Sequence, residues 1–295
     1  MGEVTHKQLV VLLGAGKVAS HLAPALIEAG YPIAQVYSRT LDAARVLADP
    51  LGVPYTDNIE AVTTDAHIYI ACVADGALSA VAAKVVHNSP DKIFLHTAGS
   101  VPMEIWREAG AQHYGILYPL QTFSKEREVN MHEVSLFIEA SDASTLKSVE
   151  LLAQRLSRKV YYADSALRAQ LHVAAVFACN FTNAMYGVAH QLLDQAHIPF
   201  EVLLPLIDET AAKVHTLSPH KAQTGPAVRG DHNVMHIGYK QKSPDCRWAA
   251  IGTKKKNMYR TYLYKSSINS SNRFTLTLGK GIDSSIRKCA SSLTI

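Results

Sequence analysis

Short apolar runs alternate with Ala-rich amphipathic stretches through the first half of the chain. The apolar runs fall at 8–13, 33–37, 67–73, 92–96, 112–117, 134–139 and 159–162, the length expected of buried strands. Helical stretches such as 18–29, 41–49 and 76–86 lie between several of them. This alternation predicts an α/β domain built on a doubly wound, mostly parallel sheet. Ligands bind such sheets at the carboxyl ends of the strands, so the chain after Val73, Thr97 and Tyr118 is where a site is expected. The pattern changes near Asp164. From Ser165 to Gln195 there is no Pro, a single Gly and much Ala and Leu, and Asp164 or Ser165 suits the N-cap of a long helix. Pro199 to Leu217 reads as another helix. The expected organisation is a sheet domain over 1–163, an all-α domain over 164–233 and a tail over 234–295.

One turn adds chemistry to this outline. Val10-Val11-Leu12-Leu13 runs into Gly14-Ala15-Gly16-Lys17-Val18-Ala19, a Gly-x-Gly-x-x-Ala sequence between a strand and a helix. The first Gly permits the tight turn, the second lets the backbone approach a pyrophosphate, and the third small residue lets helix and strand pack. The helix N-terminus supplies free N–H groups and partial positive charge. In this context the sheet domain reads as a Rossmann-like dinucleotide-binding domain. About 20 residues beyond the glycines an NAD site carries an acid on the ribose. This chain has Ser38-Arg39-Thr40 there. A guanidinium with two hydroxyls suits a ribose 2′-phosphate, and NADP(H) is the expected cofactor.

Composition narrows the surroundings. The 295 residues include four cysteines without Cys-x-x-Cys pairing, which read as reduced thiols, and no metal-ligand spacing occurs among the 14 histidines. No signal peptide or membrane-length apolar run is seen, so a cytoplasmic protein is expected. The net charge of +4 hides an asymmetry. Residues 234–295 hold 12 Lys+Arg and 2 Asp+Glu, leaving 17 and 23 for the rest. Such a basic end marks either an arm for an anionic surface or a disrupted terminus.

Further candidates lie at the predicted strand ends and on the long helix. Val73-Ala74-Asp75 ends one strand, and Asp75 suits either a helix cap or the cofactor edge. Thr97, Gly99 and Ser100, after His96, offer hydroxyls and backbone N–H groups to a carboxamide or substrate oxygen; Gly99 equally suits a plain turn. Gln121 and Thr122 follow Tyr118-Pro119, a stretch read as a loop. On the long helix, His172, Cys179 and Asn183 fall within about 40° of one another at 100° per residue, with Asn180 on the flank. His172 has the intrinsic pKa for acid–base work, and Asn180 and Asn183 would share its face. Gln223, Thr224 and Arg229 lie in a Gly/Pro-rich stretch, where Arg229 either pairs with Asp231 or binds an anionic substrate.

Together these segments resemble a family of bacterial proteins with an N-terminal Rossmann-like NADP-oxidoreductase domain and a C-terminal helical domain of uncharacterised function. The carrying stretches are Gly14-x-Gly16, Leu95-His96-Thr97-Ala98-Gly99-Ser100-Val101-Pro102, Tyr118 to Ser124, Ala178-Cys179-Asn180-Phe181-Thr182-Asn183 and Gln223 to Asp231. The resemblance runs from about residue 7 to 233. The family is similar to pyrroline-5-carboxylate reductase, ketopantoate reductase, deazaflavin-dependent NADP reductases and 6-phosphogluconate-type dehydrogenases. That similarity implies a helical domain that dimerises and an active site in the interdomain cleft. β-Hydroxyacid dehydrogenases of this superfamily use a Lys on the long helix; here the helix has none, and His172 and the two Asn residues stand in comparable places. Beyond Asp231 the family pattern of a charged amphipathic helix gives way to the basic tail, which reads as a frameshifted or replaced terminus, or else as a genuine arm.

The expected function is hydride transfer between NADP(H) and a small, anionic C=O or C=N substrate. The alternative is a non-catalytic NADP-binding sensor or scaffold, which needs the cofactor motifs but no acid–base group. Nucleic-acid binding through the tail ranks last, because the tail carries no recognisable reading motif.

Overall fold

The computed structural model describes residues 8–225. Among them, eight strands form one sheet in the order β3-β2-β1-β4-β5-β6-β7-β8. The strands are β1 (Val10–Leu13), β2 (Ile33–Tyr37), β3 (Tyr55–Thr56), β4 (Ile68–Ala71), β5 (Ile93–His96), β6 (His113–Leu120), β7 (Ser135–Ala140) and β8 (Lys159–Tyr162). The helices around them are α1 (Lys17–Glu28), α2 (Leu41–Ala48), α3 (Leu78–Asn88), α4 (Glu104–Glu108) and α5 (Ala143–Leu156). All neighbouring strands are parallel except β6 and β7. The expected doubly wound, mostly parallel sheet is thus present.

The sheet is buried on both faces because its central strands are apolar throughout: no residue of β1 or β4 is more than 1% exposed. Side chains alternate between the faces. Val10, Leu12, Ile68 and Ile70 pack with α1, α2 and α5. Val11, Leu13, Tyr69 and Phe94 pack with α3 and α4, where Trp106 is fully buried. Burying each such side chain contributes about 1.5–3 kcal/mol.

Two features depart from expectation. The chain at Tyr118-Pro119, read as a loop, is the end of β6: Tyr118 pairs with Phe137 and Pro119 with Leu136 in the antiparallel ladder. The long helix is not uniformly α-helical. It begins as α6 (Ser165–Ala175), capped by the Asp164 carboxylate accepting from Leu167 N at 2.7 Å. It then passes through a π-helical stretch, Val176–Phe181, before α7 (Thr182–Gln195). The 100° step per residue, on which the expected grouping of His172 with Cys179 and Asn183 rests, does not hold across the π segment.

The chain divides into two compact units, Met1–Phe181 and Thr182–Ile295. The described part of the second unit contains α7, a 3₁₀ turn at Phe200–Leu203, α8 (Leu204–Lys213) and α9 (Pro219–Ala222). No described residue of this unit is buried; Met185, Leu192, Val202, Leu206 and Val214 are all exposed. Among the described residues no helix is long and apolar enough to cross a membrane. Arg229 and the tail 234–295 lie outside the described residues.

Candidate active site at the carboxyl edge of the sheet

The site is built where the strand order reverses, between β1 and β4. Gly14 leaves β1 with φ of +109° and donates its N–H to Tyr37 O at 2.7 Å. A β-carbon at Gly14 would lie 2.6 Å from Cys72 O and 3.0 Å from Val73 Cγ1. Conformation and space therefore both demand glycine here. Ala15 is buried beneath the turn, and Gly16 is the N-cap of α1. No side chain caps that helix, so its first-turn N–H groups are left for a ligand. Lys17 and Val18 follow in the first turn, Lys17 exposed. Around Gly16 a β-carbon would meet nothing nearer than Cys72 O at 3.8 Å. A tight, uncapped, uncrowded turn of this kind fits a pyrophosphate.

The neighbouring strand ends complete the edge. Ser38, Arg39 and Thr40 leave β2, with Arg39 and Thr40 exposed, and no side chain caps α2 at Thr40. Val73 and Ala74 leave β4. Asp75 does not cap α3; its Oδ2 accepts from Ser100 Oγ at 2.5 Å. Thr97 is buried, and both its N–H and its Oγ1 donate to Ala71 O, at 3.1 and 3.3 Å. Cys72 beside it is buried, and burial pushes its thiol up to about 12, so it is no nucleophile.

The loop after β5 is held from within by His96. Its Nδ1 accepts from Ala98 N at 3.2 Å, and its Nε2 stands 3.4 Å from Pro102 O. Burial, reinforced by the Arg168 charge, lowers its pKa to about 3. The imidazole is therefore neutral, with Nε2–H donating to Pro102.

β6 extends beyond β5, since His96 pairs with Ile116, and this extension carries Tyr118 level with the loop 97–99. The Tyr118 hydroxyl and His172 Nδ1 are 3.1 Å apart. A β-carbon at Gly99 would lie 2.7 Å from His172 Nδ1, 2.8 Å from Tyr118 Cζ and 2.9 Å from the Tyr118 hydroxyl. Gly99 is thus small because Tyr118 and His172 occupy the space beside it, which a plain turn would not require. Burial lowers the pKa of half-buried His172, with Asp75 opposing. Burial pushes Tyr118 up to about 12, against a counteracting Arg168.

Arg168, one turn before His172, is 1% exposed. Its Nη1 donates to Glu139 Oε2 at 2.5 Å, and its Nη2 donates to Val101 O at 2.7 Å and Ser165 Oγ at 3.2 Å. One buried guanidinium thereby joins β7, the loop after β5 and the start of α6. Ser165 reinforces the clamp through Glu139, its N–H at 3.1 Å and its hydroxyl at 3.0 Å.

Gln121 and Thr122 are exposed after β6, the Gln121 Oε1 accepting from Thr122 N at 2.7 Å. Asn180 and Cys179 are exposed on the π-helical stretch. Asn183, Gln223 and Thr224 belong to the second unit and are exposed. Among the described residues no group of three His, Cys, Asp or Glu is placed to hold a metal ion.

Tyr118 and Arg168 were not among the expected site residues. Tyr118 sat in a stretch read as loop, and Arg168 meets Glu139 only through the tertiary fold, 29 positions apart in sequence.

Known proteins share this architecture. Residues 9–99 match the family of NADP oxidoreductases described as coenzyme F420-dependent, and residues 134–262 match a domain of unknown function, DUF2520. A crystal structure from Bacteroides fragilis, provisionally designated an NADP oxidoreductase, is 45% identical, with a TM-score of 0.78 over 83% of this chain and 95% of that one. A Thermotoga maritima protein is 20% identical, with a TM-score of 0.68 over 86% of this chain and 96% of that one. An imine reductase from Myxococcus stipitatus, in complex with NADP+, is 16% identical, with a TM-score of 0.55 over 78% and 85%. No curated protein matches the chain. The dinucleotide turn, the doubly wound sheet and the 45% identity lead to one conclusion: the chain belongs to the family of NADP oxidoreductases in which a Rossmann-like domain is followed by a DUF2520 domain.

Proposed function

We propose that the protein reduces a C=O or C=N bond of a small, anionic substrate with NADPH. The observation that carries this reading is the Tyr118–His172 pair beside Gly99, on the same carboxyl edge as the uncapped glycine turn. The glycine turn through Val18 would hold the pyrophosphate, and Ser38, Arg39 and Thr40 the 2′-phosphate. Val73, Ala74, Asp75, Thr97, Gly99 and Ser100 would border the nicotinamide. When bound, NADPH supplies the hydride. His172 provides the titratable group, with Asn180 and Asn183 as hydrogen-bonding partners for substrate. Gln121, Thr122, Gln223, Thr224 and Arg229 would bind the substrate's polar groups, Arg229 its anion.

The exposed apolar residues of α7 and α8 support a homodimer formed through the second unit. A cytoplasmic location accords with the reduced thiols.

The test is NADPH binding by calorimetry, followed by turnover on a panel of cyclic imines and 2-oxo acids. Binding with turnover is expected. Binding without turnover on any panel member would favour a sensor, and no binding would sink the reading altogether.

A further inference from the structure

Resting on the reductase reading above, we propose that Tyr118 delivers the proton to the substrate and that His172 resupplies Tyr118 from solvent. The two groups share one hydrogen bond, 3.1 Å from hydroxyl to Nδ1. Its direction decides which proton is free. If the phenol donates to Nδ1, only the His172 Nε2–H remains to be given. If Nδ1–H donates to the phenol oxygen, the Tyr118 O–H is free to face a substrate.

Proton delivery by the phenol needs the second arrangement. Burial disfavours the charged form of His172, with Asp75 opposing. A neutral imidazole gives up its N–H far less readily than a phenol gives up its O–H. Of the two groups, the phenol is therefore the usable acid. Tyr118 is 7% exposed, whereas His172 is half-buried, which suits His172 to exchange protons with solvent. The charged groups acting on the pair are Asp75 at the end of β4 and Arg168 on α6. Arg168 is already neutralised by Glu139 on β7. Its charge lies close enough to favour a transient phenolate on Tyr118, without a hydrogen bond to it.

The step balances. As the substrate carbon receives its hydride, the π pair moves onto oxygen or nitrogen. That atom bonds the Tyr118 proton while the phenolic O–H bond breaks. The phenolate takes the proton from His172 Nδ1, and Nε2 takes one from hydronium or a buffer acid. His172 remains neutral and returns to its starting tautomer by exchange with solvent. Gly99 keeps this exchange possible, because any side chain there would part the two rings.

Two readouts test the proposal. In ¹⁵N-histidine-labelled protein saturated with NADP+, with the signal assigned by difference against His172→Gln, His172 is expected to carry its proton on Nδ1. That preference should vanish in Tyr118→Phe. A ring protonated at Nε2 overturns the proposal. In turnover, Tyr118→Phe is expected to lose roughly 100-fold or more in kcat, with the NADPH Kd changed by no more than about twofold. His172→Ala should lose less and regain activity with added imidazole. A Tyr118→Phe enzyme within about threefold of the native rate also overturns the proposal. A panel on which the native protein oxidises no NADPH would remove the reductase reading instead, and the tautomer would still decide the direction of the bond.

Discussion

Gly14 and Cys72 meet backbone to backbone where β1 and β4 end, so closely that a β-carbon on Gly14 would lie 2.6 Å from the Cys72 carbonyl oxygen. The positive φ of Gly14 alone costs an alanine about 1–2 kcal/mol, before any displacement of Cys72. Gly14→Ala should therefore fold less stably and bind NADPH weakly. Calorimetry on a variant that still shows a cooperative melt would check this; native affinity would show that the turn does not hold the cofactor.

The pair Ser38-Arg39 offers a sharper test of cofactor choice. Arg39 is exposed at the end of β2, where a charge-assisted, bidentate contact to a 2′-phosphate is worth about 1.5–3 kcal/mol. Arg39→Ala should weaken NADPH roughly 10- to 100-fold and leave NADH nearly unchanged. Equal loss for both nucleotides would mean that Arg39 does not read the phosphate.

Arg168 is buried and pairs with the partly exposed Glu139, which would keep only its bonds from Ser165 if the guanidinium were lost. Arg168→Met should lower stability by about 3–5 kcal/mol, measured by chemical denaturation. Replacing both with apolar residues should recover part of that loss. Recovered stability without recovered turnover would separate packing from the placement of His172.

His96 predicts an acid-sensitive fold. Its folded pKa near 3 lies below the unfolded value of about 6.5, so between these values the unfolded chain binds the extra proton. Stability should fall as pH drops through that window, by up to about 1.4 kcal/mol per unit from this group. His96→Gln should flatten the slope. Denaturation midpoints at pH 7, 5 and 4 would show it, and an unchanged slope would assign the acid sensitivity to other groups.

Asp142 acts in the same direction for a different reason. It caps α5, accepting from Ser144 N and Thr145 N, each at 2.9 Å, and these bonds with the two hydroxyls hold its carboxyl well below the usual range. Asp142→Ala should cost about 0.5–2 kcal/mol at pH 7. The difference should shrink in strong acid, as the native carboxyl is finally protonated.

Much of this was legible in the sequence because it rests on local rules. Gly14 and Gly16 announce themselves by spacing between strand and helix, and Asp164 by its place before an Ala-rich run. The remainder depends on neighbours far along the chain. Pro119 marks a loop by composition, yet it sits in a ladder that lets β6 outrun β5. The two-residue β3 and the five-residue α4 are too short to show a period. The π-helical turn at Val176–Phe181 has no sequence marker of its own, and it interrupts the regular step assumed along the long helix. Nothing in the residues flanking Gly99 reveals that its missing side chain leaves room for a tyrosine and a histidine.

The antiparallel return of β7 has a consequence for how the cofactor would be retained. The segment between β6 and β7 reaches back to α1, where Ser124 O lies 2.7 Å from His21 Nε2 and the Phe123 ring lies tilted against the same imidazole, centroids 5.1 Å apart. The helix whose first turn would face the pyrophosphate is thus strapped along its flank by this loop. Loading the nucleotide should slow amide hydrogen exchange in that strap as well as in α1, and loosening the strap at Phe123 should shorten the residence time of the bound nucleotide.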